Sequence, residues 1–153
     1  MPYNVDFLTK DDIVKYLIAQ GILCAAGGPR KNVVVKTGDY TIDTADIPSG
    51  TIFTNRGAAG AVNFTLPAPT RALEGVYYDF IGVADQTITV TAATADTLIA
   101  HNDTAADSLA MSTAGDKIAN GIRAVCDGTS WIAYGITPGP GGDTTTNVFT
   151  VAT

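Results

Sequence analysis

Short runs alternating apolar and polar residues recur about every ten positions between Asn32 and Ile136, and each is cut off by turn formers. That period of two constrains the chain more than any other feature. A run of four to six residues with successive side chains on opposite faces suits a half-buried strand and is too short and out of phase for a helix. Residues 32–36, 40–43, 51–55, 61–66, 76–81, 86–91, 97–100, 122–126 and 131–136 are predicted strands, rich in Val, Ile, Thr and aromatic side chains. Thr37-Gly38-Asp39, Asp46-Ile47-Pro48-Ser49-Gly50, Arg56-Gly57-Ala58-Ala59-Gly60 and Pro67-Ala68-Pro69-Thr70 separate them.

The alternation also assigns faces. Val62, Phe64 and Leu66 point one way and Asn63 and Thr65 the other; Ile88 and Val90 oppose Thr87, Thr89 and Thr91. One wall is core and the other a threonine surface. The expected fold is all-β, an antiparallel β sandwich or jelly-roll-like barrel, because such spacing favours these over βαβ units. Asp127-Gly128-Thr129-Ser130 is expected to turn a hairpin between two apolar strands. Residues 92–120 are less regular, with Asp96, Asp103, Asp107 and Asp116 among Thr, Ala and Ser, and fit short strands and long loops; residues 104–111 fit a helical turn as an alternative.

A helix is expected only near the start. Thr9 can cap its first turn, with Asp12 at the acidic third position, and Gly21 can end it. Ile13 and Leu17 share a face, with Val14 and Ile18 beside them. At about three turns the helix is too short to stand alone, so its stripe docks on the body or on another subunit. At the other end, Gly135-Ile136-Thr137-Pro138-Gly139-Pro140-Gly141-Gly142 closes the body, and residues 147–153 have the propensity to add a strand to an exposed sheet edge. The expected divisions are a helix and arm at 1–31, a β body at 32–136, and a linker and C-terminal arm at 137–153. Ile13, Leu17, Ile18, Val148, Phe149 and Val151 are the candidate interface residues.

The chain has 153 residues, enough for one domain with a real core. Only 16% are charged, against about 25% in an ordinary soluble domain, so much of the surface is neutral. The net charge of -6 comes without any run of bases, which argues against direct nucleic-acid binding. No window approaches the roughly 20 apolar residues that span a bilayer, and Met1-Pro2-Tyr3-Asn4-Val5-Asp6 is unlike a signal peptide. A soluble protein made in the cytoplasm, with no membrane partner, is expected. Cys24 and Cys126 lack the spacing of a disulfide scaffold or zinc site and are expected to be structural thiols, with a long-range disulfide left open.

No coherent catalytic group emerges. His101, the sole histidine, is expected in a loop, and Ser108, Ser112 and Ser130 lack nucleophile context. Asp96, Asp103 and Asp107 do not follow the calcium-loop pattern, which leaves calcium open without nominating a site, and Glu74 is the only glutamate. The expectation is a non-enzyme with no cofactor and no metal. Tyr77, Tyr78 and Trp131 could line a groove, but aromatics in alternating strands more often pack a sheet or an interface.

Asn55-Arg56-Gly57 leading into Ala61-Val62-Asn63-Phe64-Thr65-Leu66-Pro67, then Gly75-Val76-Tyr77-Tyr78-Asp79-Phe80 and Val125-Cys126-Asp127-Gly128-Thr129-Ser130-Trp131, resembles a β module of tailed-bacteriophage virion structural proteins. The outline runs from about Thr51 to Tyr134 and is most like small capsid decoration, or cement, proteins. The resemblance implies a non-enzymatic subunit, often a homotrimer, that sits on the capsid surface of the virion. Its implied partner is the phage major capsid protein, with adjacent shell subunits bridged through loops or terminal arms. The alternative it leaves open is a tail fibre or baseplate component whose loops at 56–60 or 101–107 bind a host receptor.

Overall fold

The structure is a computed structural model that describes residues 31–111, 117–136 and 149–153. The chain divides into two units, 1–31 and 32–153. The expected helix with Ile13, Leu17 and Ile18, the linker with Val148, and Cys24 all lie outside the described residues.

The second unit is an all-β domain. Its strands are β1 (Val33–Val35), β2 (Tyr40–Thr41), β3 (Ile52–Thr54), β4 (Val62–Leu66), β5 (Tyr77–Ile81), β6 (Ile88–Ala92), β7 (Leu98–Ala100), β8 (Asp103–Ala106), β9 (Ser108–Met111), β10 (Gly121–Cys126), β11 (Trp131–Ile136) and β12 (Phe149–Ala152), with one 3-10 turn at Arg71–Leu73. Seven form a sheet in the order β1-β3-β5-β10-β11-β7-β8, and five form another in the order β12-β9-β6-β4-β2.

The chain winds between these sheets. β1, β3 and β5 lie side by side and parallel in the first sheet, while β2, β4 and β6 do the same in the second. Each strand of one sheet therefore serves as the crossover between parallel neighbours of the other, the role a helix takes in βαβ units. The later strands double back: β10 and β11 form an antiparallel hairpin inserted between β5 and β7, and β9 joins β6 antiparallel.

Both sheets are thus mixed, which corrects the expectation of an antiparallel fold. Period-two alternation is the same in parallel and antiparallel strands, and short spacing suggested hairpins where the chain instead changes sheet. Neither sheet closes on itself, and the parallel pairs are incompatible with a jelly roll. Residues 104–111 contain no helical turn. They form β8 and β9, with Leu109 and Met111 buried at alternating positions.

The predicted inner faces meet in one core. Val62, Phe64 and Leu66 are buried on β4, as are Ile88 and Val90 on β6. Phe64 packs its ring 5.2 Å from that of Phe53 and 5.0 Å from that of Phe80, joining the five-stranded sheet to the seven-stranded one. Tyr78 and Trp131 are fully buried and stack at 6.0 Å. Their polar tips find carbonyls, the Tyr78 hydroxyl donating to Ile47 at 3.2 Å and the Trp131 Nε1–H to Pro67 at 2.8 Å, so their burial leaves no orphan donor. Cys126 is a buried free thiol.

Asn55 pins the winding. Its side chain is fully buried, and Oδ1 accepts the amides of Val83 at 2.7 Å and Ala84 at 2.9 Å. Nδ2 donates to the carbonyls of Gln86 at 3.0 Å and Ala84 at 3.3 Å. One amide thus bonds four backbone groups of the half-buried segment that leads into β6, where the Ala84 carbonyl also accepts the Gln86 amide at 2.8 Å.

Candidate interaction face

Alternation along each strand and the fixed register across the sheet set the outer face of the seven-stranded sheet. One row reads Val33, Ile52, Asp79, Arg123 and Tyr134 across β1, β3, β5, β10 and β11. On one side of it runs Val35, Thr54, Ile81, Gly121 and Ile136. On the other runs Tyr77, Val125, Ile132 and Ile99, reaching β7. Val33, Val35, Ile132 and Tyr134 are exposed at 56%, 49%, 39% and 44%, and Ile99, Val125 and Ile136 are half-buried among them. The face is therefore apolar over most of its extent.

Its centre is a single ion pair. Arg123 grips Asp79 bidentately, Nε donating to Oδ1 at 2.6 Å and the terminal nitrogen to Oδ2 at 2.8 Å. The guanidinium also lies 5.2 Å from the centre of the Tyr77 ring, and Tyr134 is the register neighbour of Arg123 on β11. The hydrogen bonds to Asp79 are the main reason Arg123 is held charged even more firmly than a free guanidinium. Asp79 is 5% exposed although it sits on an outer face, because Arg123 covers it. The pair neutralises itself, so a partner laid over this face meets no uncompensated charge.

Glycine lets this surface stay flat. A Cβ on Gly121 would meet Ile81 Cδ1 at 2.6 Å, so only glycine lets the Ile81 side chain lie across β10. At one end of the face, Asp127 closes the β10–β11 hairpin, as the sequence indicated. Its Oδ1 accepts the amides of Ser130 at 2.7 Å and Thr129 at 2.8 Å, and these bonds hold its carboxyl below the ordinary carboxylate range.

The outer face of the five-stranded sheet differs in chemistry. Its rows read Asn63, Thr89, Ala110 and Thr150, then Thr41, Thr65, Thr91, Ser108 and Ala152. Thr91 Oγ1 donates to Asn63 Oδ1 at 2.7 Å within it. This is the threonine surface that the alternation predicts.

Of the candidate interface residues, Phe149 and Val151 are described, on β12, where both pack against the core. His101 is a turn residue: with Asn102 it takes positive φ, 44° and 70°, in the two-residue turn between β7 and β8. Its ring stacks on Phe149 at 5.9 Å. Asp103 and Asp107 bind backbone, accepting the amides of Ala105 and Asp96 at 3.0 Å each. Among the described residues no cluster of three His, Cys, Asp or Glu could hold a metal ion. Sequence reasoning missed Ile132, Tyr134, Arg123 and Asp79. The available signal was that Trp131-Ile132-Ala133-Tyr134 carries large apolar side chains on both faces of one strand.

Comparison with family models, curated proteins and solved structures finds no match for this chain.

Proposed function

We propose that this protein is a bacteriophage capsid decoration protein, a non-enzymatic two-layer β sandwich that stabilises the phage head by bridging adjacent subunits of the major capsid protein. The observation that carries the proposal is the apolar outer face of the seven-stranded sheet, neutralised at its centre by Arg123 and Asp79. The three rows cover roughly 25 Å by 17 Å, about 400 Å², from the spacings of strands and residues. That is the size of the largest patch on a typical monomer, which is often functional, and about half the area one partner contributes to a standard interface. One face alone therefore binds weakly. A homotrimer on the capsid surface would present three such faces at once, and the shell would gain stability because each contact favours the assembled state.

The resemblance of residues 51–134 to virion proteins supplies the phage context, and the low-charge surface suits a subunit that works by contact. The experiment is co-sedimentation of the purified protein with phage shells that lack it. Saturable binding, lost in Ile132→Glu, is the expected result; no binding to shells, with binding to host cells instead, would favour a tail fibre or baseplate role. That second reading draws on the exposed turns at Arg56, Gly57, Ala59 and Gly60 and at His101 and Asn102, which could meet a receptor.

A further inference from the structure

An open sheet edge is a template for a further strand unless a charge, a proline or a bulge deters pairing. Two edges of this domain are guarded in that way or by brevity: β2 pairs over Tyr40 and Thr41 alone, and β8 starts on Asp103 with a register shift against β7. β1, at the end of the seven-stranded sheet, is not. It reads Val33-Val34-Val35, β-branched throughout, with no charge, proline or bulge inside it. Lys36, the lysine that follows, holds its ammonium over the Tyr40 ring at 3.6 Å.

The pairing of β1 with β3 fixes which groups face outward. The Ile52 amide donates to the Asn32 carbonyl at 2.8 Å, and the Lys36 amide donates to the Thr54 carbonyl at 2.9 Å. In this parallel ladder Val34 therefore spends its backbone groups on β3, while Val33 and Val35 turn both N–H and C=O to the free edge. Among the described residues nothing bonds to those outward groups. The two side chains are exposed on the outer face, and Val34 packs against the core.

This edge is self-complementary. When two copies meet antiparallel about a twofold axis at Val34, Val33 of each lies opposite Val35 of the other, and every outward N–H finds an outward C=O. Asn32 then stands opposite Lys36, so no like charges are opposed. The pairing also continues the apolar face. The rows that end on Val33 and Val35 meet their copies there, and two faces of about 400 Å² become one of about 800 Å², the area one partner contributes to a standard interface.

We propose that two copies of this chain join edge to edge through β1, antiparallel about a twofold axis at Val34, and present their seven-stranded sheets as one apolar surface. The occupant of the edge is a second copy because the outward groups of one β1 match those of another without remainder. The pairing rests on the edge alone and not on the capsid reading, and its test contains no capsid. It links chains two at a time, so a threefold arrangement would be made by other surfaces.

The test separates this register from chance collision. Val34 lies directly across the axis from its own copy, in a pair with Cα atoms about 4.5 Å apart, within disulfide reach. Val33 is more exposed but lies diagonal to its own copy, beyond that reach. Full-length Val34→Cys and Val33→Cys chains, each with Cys24→Ser, are oxidised separately and run on a non-reducing gel, Cys126 being buried. The expected result is a two-chain species formed at least tenfold faster by Val34→Cys than by Val33→Cys, although collision alone would favour the exposed position. Adding Val33→Pro to Val34→Cys removes an amide that bonds nothing within the domain, at the first residue of an edge strand where proline is tolerated. It should abolish the crosslink and leave the far-UV spectrum and urea midpoint unchanged. No two-chain species from Val34→Cys, equal crosslinking of Val33→Cys, or a crosslink that survives Val33→Pro in a folded chain would each overturn the proposal.

Discussion

The two outer faces of this domain come from the same alternating strand grammar and present opposite chemistry. On the five-stranded sheet the outward positions are Thr, Ser, Ala and Asn, small groups that water hydrates and that bond to one another, as Thr91 does to Asn63. On the seven-stranded sheet the outward positions are Val, Ile and Tyr around one self-neutralised ion pair. A strand needs an apolar inner face to fold, but nothing in folding requires Ile132 and Tyr134 to face outward. Apolar side chains in excess of what the core uses are what the proposed capsid contact would cover.

The largest expected effect breaks that contrast directly. Ile132→Glu and Tyr134→Glu should each weaken capsid binding by about 100-fold or more, as charges placed at the centre of an interface do. Thr65→Glu and Thr89→Glu on the other face should leave it unchanged in the same sedimentation assay. All four should fold, because each position is outside the core.

A second substitution removes the distinction between faces altogether. Asn55 bonds the end of β3, in one sheet, to the segment that leads into β6, in the other. Asn55→Ala takes this partner from the Val83 and Ala84 amides and the Gln86 carbonyl and should lower unfolding stability by about 2–4 kcal/mol in urea titration. Loss of that stability should take both sheets together in one transition.

The ion pair sharpens the comparison more gently. Arg123→Leu uncovers Asp79, which then regains water, so the loss should be about 1–2 kcal/mol rather than that of a fully buried charge. Thr91→Ala on the polar face removes one hydroxyl bond and should remain within about 1 kcal/mol. The smallest effect is that of pH at the rim of the apolar face. The folded state favours the Asp127 carboxylate through the Ser130 and Thr129 amides. Its contribution is therefore full above the ordinary carboxylate range and is lost as pH falls through the depressed folded value. Asp127→Asn should flatten that part of the stability profile, read from urea midpoints across the acidic range.

Much of the fold was legible from residue order. Alternation in Val62-Asn63-Phe64-Thr65-Leu66 and Ile88-Thr89-Val90-Thr91 names the buried and exposed side chains of two strands, and Asp127-Gly128 marks the hairpin. What the order hid was pairing. Nothing in Val33-Val34-Val35 says that it lies parallel to Ile52-Phe53-Thr54 with β2 in the other sheet between them, because strand direction is set by long-range contacts. Nor could the order show that Arg123 lies opposite Asp79, since that neighbour depends on an inserted hairpin. The strands at 103–111 were obscured by Ala, Ser and Asp, residues of low strand propensity that pairing with β6, β7 and β12 overrides. Phe149 and Val151 were legible from β propensity as an added strand, which packs against the core and lies outside the candidate face; Ile132 and Tyr134 needed the recognition that a strand with one buried face should not be apolar on both.

Cryo-EM of the intact virion tests the central claim most directly. Regular density for this protein is expected at sites between shell subunits, with the outer face of the seven-stranded sheet, marked by Ile132, Tyr134 and Arg123, against the shell and the threonine face toward solvent. Density confined to the tail, or a shell contact made by the threonine face, would contradict it.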